Sequence, residues 1–249
     1  MRVNTDGIIL REQNIGEKDK LVTVLTRRLG LIKAFVRGAN SLKDKKHSAT
    51  GLLCYSDFSV YEGKDSYIID SAEPKEVFFN LRSDIIKLSL AQYFCEISCE
   101  LAPDGEEAED ILRLLLNCLY LLANDKKNPE QLKAIFELRS ACLAGYMPNL
   151  VACDFCGEFE TKKMYFDIGK GLLYCENCVE YATPFELDLA LVRALRHICF
   201  SSLEQLFSFS LSDENYEELS FVTERYLISH TERNYKTLEF YKGVRKLDS

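Results

Sequence analysis

Tryptophan is absent from this chain, and histidine is scarce at three residues, His47, His197 and His230. None of the three stands in an H-E-x-x-H arrangement or beside a recognisable nucleophile motif, so zincin-type hydrolysis and acyl transfer have no visible machinery. A Walker loop and a G-x-G-x-x-G turn are missing too, which removes the usual glycine-rich cradles for nucleotide phosphate. Long apolar runs are lacking. Runs such as Leu114–Leu116 and Leu119–Ala123 fall far short of the roughly 20 residues that span a bilayer. Arg2, Asp6 and Arg11 interrupt any signal-peptide pattern. No internal repeat or low-complexity tract is visible. The expectation is a soluble, non-exported, cytoplasmic protein that is not an enzyme and has no membrane partner.

What the chain does have is ten cysteines, 13 Tyr and 15 Phe in 249 residues. In a reducing compartment disulfides are disfavoured, so the cysteines read as metal ligands or as apolar packing. The net charge is −8, which alone argues against a nucleic-acid partner. Its distribution argues the other way. Residues 1–50 hold 11 Lys+Arg against 5 acids, an excess of +6, which leaves −14 for the remainder. Such asymmetry fits a local anion-binding site on an acidic body. A chance excess of solvated lysines is the competing reading.

Residues 1 to about 78 read as β-rich. Strand patterns occupy Val3–Leu10, Lys20–Thr26, Leu31–Arg37, Leu52–Tyr61 and Ser66–Ser71. Turns are expected at Arg28-Leu29-Gly30 and Glu62-Gly63-Lys64-Asp65, and a polar loop at Gly38–Gly51. Five short strands in so little chain suggest a small closed barrel. Pro74 marks a change to helical spacing. Helices are expected over Val77–Ala102, Glu106–Ala123 and from Asn128-Pro129 to about Tyr146, the three packing together. Further helices are expected at 185–200, 213–230 and 236–247. The class is therefore α+β: a barrel domain over 1–78, then a helical domain over 79–249 with a cysteine-bearing insert at about 150–183.

The insert carries the strongest motif. Cys153-Asp154-Phe155-Cys156 and Cys175-Glu176-Asn177-Cys178 are two C-x-x-C knuckles, whose four thiolates can surround one tetrahedral ion. Between them, Met164–Asp167 and Leu172–Tyr174 flank Gly169-Lys170-Gly171 as a β-hairpin, the anatomy of a zinc ribbon. Four cysteine ligands leave no open position, so the Zn²⁺ expected here is structural. Two unrelated redox or packing pairs are the alternative. Cys54, Cys95, Cys99, Cys118, Cys142 and Cys199 sit among apolar neighbours and read as packing. Asp154, Glu160 and Lys162 loosely imitate a nuclease set, but a knuckle surface is expected to be charged without one.

The second signal lies on the barrel. Alternation puts Lys33, Phe35 and Arg37 on one face of the third strand and Ile32, Ala34 and Val36 on the other. An aromatic between two cations makes a stacking platform with phosphate contacts. Arg27 and Arg28 precede the strand, and Lys43, Lys45 and Lys46 follow it. These residues form the candidate DNA-binding set. The alternative places Phe35 in the core and leaves the lysines merely solvated.

The residues also resemble the RecO family of bacterial recombination mediators. The resemblance is carried by Gly7-Ile8-Ile9-Leu10, Gly16-Glu17-Lys18-Asp19, Leu29-Gly30-Leu31-Ile32-Lys33 and Arg37-Gly38-Ala39. It is carried again by Gly145-Tyr146-Met147-Pro148-Asn149-Leu150 followed by Cys153-Asp154-Phe155-Cys156-Gly157. It runs from about residue 5 to the C-terminus. It implies an N-terminal OB-fold and a helical domain with a zinc-stabilised element. It implies binding of single- and double-stranded DNA, annealing of complementary strands, and a place with the nucleoid. It implies work with RecR and with the acidic C-terminal tail of single-stranded DNA-binding protein, to load RecA on gapped DNA. An apolar groove lined by basic residues in the helical part is expected to receive that tail. A protein-interaction module without direct DNA binding is the rival reading.

Overall fold

The computed structural model describes residues 1–38, 45–63, 66–179 and 185–248. The chain forms two compact units, Met1–Asp125 with Tyr235–Ser249, and Lys126–Asn234.

The first unit opens with five strands: β1 (Arg2–Ile15), β2 (Asp19–Thr26), β3 (Gly30–Val36), β4 (Cys54–Glu62) and β5 (Tyr67–Val77). They close into a barrel in the order β1-β2-β3-β5-β4. β3 and β5 run parallel and every other pair is antiparallel, which is the OB-fold arrangement. Alternation drives the closure. Ile9, Val22, Val24, Ile32, Ala34, Val36, Phe58, Val60 and Ile69 fill the interior, and their removal from water is the main term holding the barrel. β5 runs through Pro74, which faces Ser56 beside a bulge where Lys75 of β5 is the extra residue. That irregularity takes up the missing N–H, so the proline does not end the strand. Part of the expected Gly38–Gly51 loop is a short helix, α1 (Lys45–Ala49). Lys64 and Asp65 of the expected turn lie outside the described residues.

The expected helix over Val77–Ala102 is divided into α2 (Phe79–Arg82) and α3 (Ile85–Leu101). The break falls at Asp84, whose Oδ1 accepts from the N–H groups of Ile86 and Lys87 at 2.9 and 3.0 Å. That carboxylate starts a new helix rather than continuing the old one. α4 (Glu109–Ala123) follows, with Glu109 and Asp110 in its first turn. The β2–β3 turn docks on the α3–α4 loop. Gly30 has φ +61°, and a Cβ there would lie 2.0 Å from the Pro103 carbonyl oxygen, so only glycine fits. The Leu31 N–H donates to that same oxygen at 2.9 Å.

The second unit begins with α5 (Pro129–Leu143). Asn128 caps it by accepting from the Glu130 N–H at 2.8 Å, and Pro129 takes the first turn. Then come β6 (Met164–Asp167), β7 (Leu172–Cys175) and β8 (Phe185–Leu187), a three-stranded sheet in the order β7-β6-β8. α6 (Leu189–Phe200) and α7 (Asp213–Thr231) complete the unit, and α8 (Lys236–Asp248) returns the chain to the first unit, against α3. The expected helix at 185–200 thus starts as a strand. The helix proper begins only after Asp188, whose Oδ1 accepts from the Leu191 N–H at 2.8 Å.

The expectation that the first three helices pack as a set is corrected for α5, whose main partners are α7 and α6. The reason is a buried polar network. Lys133, 2 % exposed, puts Nζ 2.9 Å from Glu137 and 3.0 Å from Glu224. It also donates to the Ser220 hydroxyl at 3.0 Å. Ser220 donates in turn to Glu130, and Thr223 donates to Glu137 at 2.7 Å. Three buried carboxylates thus surround one ammonium on the α5–α7 seam. Burial pushes the Glu137 carboxyl up to about 7, against the pull of Lys133. Among the described residues, no helix is long and apolar enough to cross a membrane.

Candidate metal centre and nucleic-acid interface

The candidate metal centre is built by two tight turns and a hairpin. After Cys153 the chain bends at Gly157, φ +75°, whose N–H donates to the Cys153 carbonyl at 2.9 Å. The Cys153 N–H donates to Glu158 at 2.8 Å, and the Asp154 N–H donates to Leu173 on β7 at 2.7 Å. The second turn closes with the N–H groups of Cys178 and Val179 donating to the Cys175 carbonyl at 3.0 and 3.1 Å. β6 and β7 join through Gly171, whose N–H donates to Asp167 at 2.8 Å. The first knuckle is thereby tied to the strand that carries the second.

The result is a cluster of Cys153, Cys156, Cys175 and Cys178 with all four sulfurs within 4.8 Å of one another. Cys156 and Cys175 are 3.7 Å apart. Four thiolates bonded at about 2.3 Å to one tetrahedral ion have this separation, so the donor set fits a soft metal with no open position. Burial opposes ionisation of Cys153, but the N–H groups of Cys156, Cys175 and Phe155 aim at its sulfur and hold the thiol at about 6. At Cys153 these amides thus favour the thiolate that a metal needs, whereas the neighbouring sulfurs push the Cys178 thiol up. Asp154, Glu160 and Lys162 do not form a nuclease set. Glu160 is bound by Arg193 at 2.8 Å and Arg196 at 3.0 Å, while Asp154 accepts from Asn149 at 3.2 Å. The remaining cysteines are largely in the core: Cys54, Cys95, Cys118 and Cys199 are buried, Cys99 and Cys142 half-buried.

On the barrel, Lys33, Phe35 and Arg37 point outward while Ile32, Ala34 and Val36 are buried. Phe35 is 37 % exposed, too open for a core residue and open enough to stack. Register fills in the rest of the face. Arg11, Thr23 and Lys33 form one row across β1, β2 and β3, and Gln13, Leu21 and Phe35 form the next. Arg11 was not among the residues singled out from sequence. The bulge between Ile9 and Arg11 turns it outward, and no local pattern reveals a strand-to-strand register. No ion pair to Arg11, Lys33 or Arg37 occurs among the described residues. A groove of about 830 Å³ opens beside Arg11 and Lys33, lined also by Glu62, Tyr67 and Asp104.

The other basic residues are placed differently. Arg27 is fixed in the fold, 2.8 Å from Asp6 and 2.7 Å from Glu109. Asp6 is held well below the usual carboxylate range chiefly by the Arg27 guanidinium. Arg28 is exposed on the β2–β3 turn, at the opposite end of β3 from Arg37. Lys46 on α1 donates to the Arg37 carbonyl at 3.0 Å. Lys43 lies outside the described residues, as does the side chain of Lys45.

Comparison with known proteins bears on both regions. The family model described as "Recombination protein O N terminal" matches residues 1–78, and "Recombination protein O C terminal" matches residues 82–239. A DNA repair protein RecO from Acetivibrio thermocellus is 32 % identical over 246 residues, covering 98 % of both chains. Relatives of the same name from Alkaliphilus metalliredigens and Symbiobacterium thermophilum are 27 % and 28 % identical. The first covers 98 % of this chain and 100 % of the relative, the second 97 % of each.

Proposed function

The chain belongs to the RecO family of DNA repair proteins, and from that premise we propose that it is a non-enzymatic recombination mediator. It binds single- and double-stranded DNA through residues 1–78, anneals complementary strands, and helps load RecA on DNA coated by single-stranded DNA-binding protein. The observation that carries this reading is the outer face of β1–β3, where Arg11, Lys33 and Arg37 share one surface with the exposed ring of Phe35. The cations replace condensed counterions on the backbone, which gives binding that is largely indifferent to sequence. The ring supplies a surface on which any base can stack.

Annealing makes and breaks no covalent bond. It requires only that two polyanions be brought close while their bases stay accessible. Cations around one aromatic meet that requirement, with the acidic remainder of the chain limiting adhesion elsewhere. The metal is zinc in this reading, held by Cys153, Cys156, Cys175 and Cys178, and its role is structural. The helical domain over 79–249 docks partners, RecR and the acidic tail of single-stranded DNA-binding protein. For the tail, the supporting feature is the exposed Val151, Phe155 and Phe159 around the first knuckle, with the Arg196 guanidinium 4.2 Å over the Phe159 ring. The setting is cytoplasmic, at the nucleoid.

The test is annealing of two complementary oligonucleotides followed by energy transfer between end labels. The protein is expected to raise the rate at least about tenfold at low salt, and the triple variant Arg11→Glu, Lys33→Glu, Arg37→Glu to return it to the spontaneous rate, because reversal replaces counterion release with repulsion. Unchanged annealing by the triple variant would remove this face from the mechanism. Phe35→Ala separates stacking from charge. It is expected to weaken single-strand binding by about 1–2 kcal/mol, roughly five- to thirtyfold, and to leave duplex binding within about twofold. Equal losses on both substrates would mean that the ring serves the barrel's packing instead.

A further inference from the structure

The chain holds a second cysteine pair that the metal centre does not use. Cys142 lies near the end of α5 and Cys199 near the end of α6, and their sulfurs are 3.7 Å apart. We propose that these two thiols form a peroxide-driven disulfide that closes the base of the metal-bearing element.

Three features of the second unit support the assignment. The first is placement. The loop closed by a Cys142–Cys199 bond contains all four clustered cysteines, Cys153 to Cys178. A cross-link there restrains both stems from which the element hangs. The second is fixed approach. Arg139 on α5 donates to the carbonyls of Ile198 and Cys199 at 3.2 and 2.6 Å, which pins the last turn of α6 against α5 with the sulfurs facing. A bond of about 2.05 Å needs the sulfurs to close by less than about 2 Å, within reach of side-chain rotation at a helix end. The third is chemistry. Cys142 is half-buried, so a small oxidant reaches it. The Cys199 thiol beside it and the Arg139 charge lower the Cys142 thiol below its ordinary value, although burial opposes them. Cys95 and Cys118 are the contrast: burial, joined at Cys95 by the neighbouring Cys99, pushes both thiols up and leaves them inert.

The electrons balance with hydrogen peroxide as oxidant. The Cys142 thiolate attacks one peroxide oxygen, the O–O bond breaks, and hydroxide leaves and takes a proton to become water. Cys142 is then a sulfenic acid. The Cys199 sulfur attacks the Cys142 sulfur, the S–S bond forms and the S–O bond breaks. A second water departs with the Cys199 proton. Two thiols have lost two electrons, and peroxide has been reduced to two waters.

The zinc-loaded chain is treated with a few equivalents of hydrogen peroxide, then mapped by tryptic mass spectrometry without reductant, with bound zinc measured in parallel. The expected result is a Cys142–Cys199 linked peptide, zinc content unchanged, and a melting temperature higher by about 5 °C, reversed by dithiothreitol. Cys142→Ser and Cys199→Ser each abolish the linkage, and Cys118→Ser leaves it intact. Oxidation confined to the knuckle cysteines with release of zinc overturns the proposal. So does peroxide treatment that leaves Cys142 and Cys199 reduced in the wild-type chain, whatever the variants do.

Discussion

Replacement of Cys153 or Cys178 by Ser is expected to empty the metal centre and to destabilise the second unit by on the order of 5 kcal/mol. Structural thiolate sites supply roughly 10 kcal/mol or more of binding energy that becomes folding energy. Here part of the unit survives on its own helices. The element has little else to hold it. Its interior is Leu150, Met164, Phe166, Leu173 and Leu187, while Val151, Phe155 and Phe159 around the first knuckle are exposed. So few buried apolar side chains cannot offset the conformational entropy of the two knuckles. Metal content by elemental analysis and thermal unfolding measured together check this, and a chelator acting on the wild-type chain should reproduce the loss. A Cys153→Ser chain that keeps its metal and its melting temperature would show that the cluster is not the site.

Lys133→Met is expected to cost the second unit about 3–5 kcal/mol. The lost ammonium leaves Glu130, Glu137 and Glu224 buried together with no counter-charge, and an uncompensated buried charge is the costly case. The pH dependence distinguishes this cause from simple loss of packing. In the wild type, Glu137 takes up its proton at about 7 when folded, against 4.5 in the unfolded chain. Between those values the folded state binds more protons, so its stability rises as pH falls from about 7 toward 4.5 and the contribution is absent above 7. Lys133→Met should steepen this acid stabilisation, and Glu137→Gln should flatten it. Chemical denaturation at several pH values reads both. A Lys133→Met chain whose deficit is the same at pH 5 and pH 8 would place the damage in packing.

Much of the barrel is legible in sequence because each strand declares itself locally. Period-two alternation in β2 and β3 gives their faces, and the Arg28–Gly30 turn gives their pairing. The overrun of β5 through Pro74 is not legible, since the bulge at Lys75 that accommodates it shows only in the pairing of β5 with β4. Helix periodicity reveals an apolar face but not its partner, which is why the packing of α5 on α7 through Lys133 could not be foreseen. β8 escapes notice because three residues leave no pattern, although Asp188, placed three residues before Leu191, carries a helix-start signal.

The two sites differ in the same way. Cys153, Cys156, Cys175 and Cys178 are readable because each ligand pair is local and the hairpin between them has its own turn residues. The cationic face is only half readable. Lys33, Phe35 and Arg37 share one strand, whereas Arg11 joins them through register. Arg27 leaves the set because of Asp6, 21 residues away, a pairing no local rule supplies.

The central claim, that the β1–β3 face is the DNA-binding surface, is tested most directly by titrating a fluorescent single-stranded oligonucleotide with the purified chain across a salt series, beside the Arg11→Glu, Lys33→Glu, Arg37→Glu variant. The account predicts a straight fall of log affinity with log salt, of slope about −2 for three neutralised phosphates on a single strand, and loss of both affinity and slope in the variant. Binding that ignores salt, or a variant that keeps the wild-type slope, would contradict it.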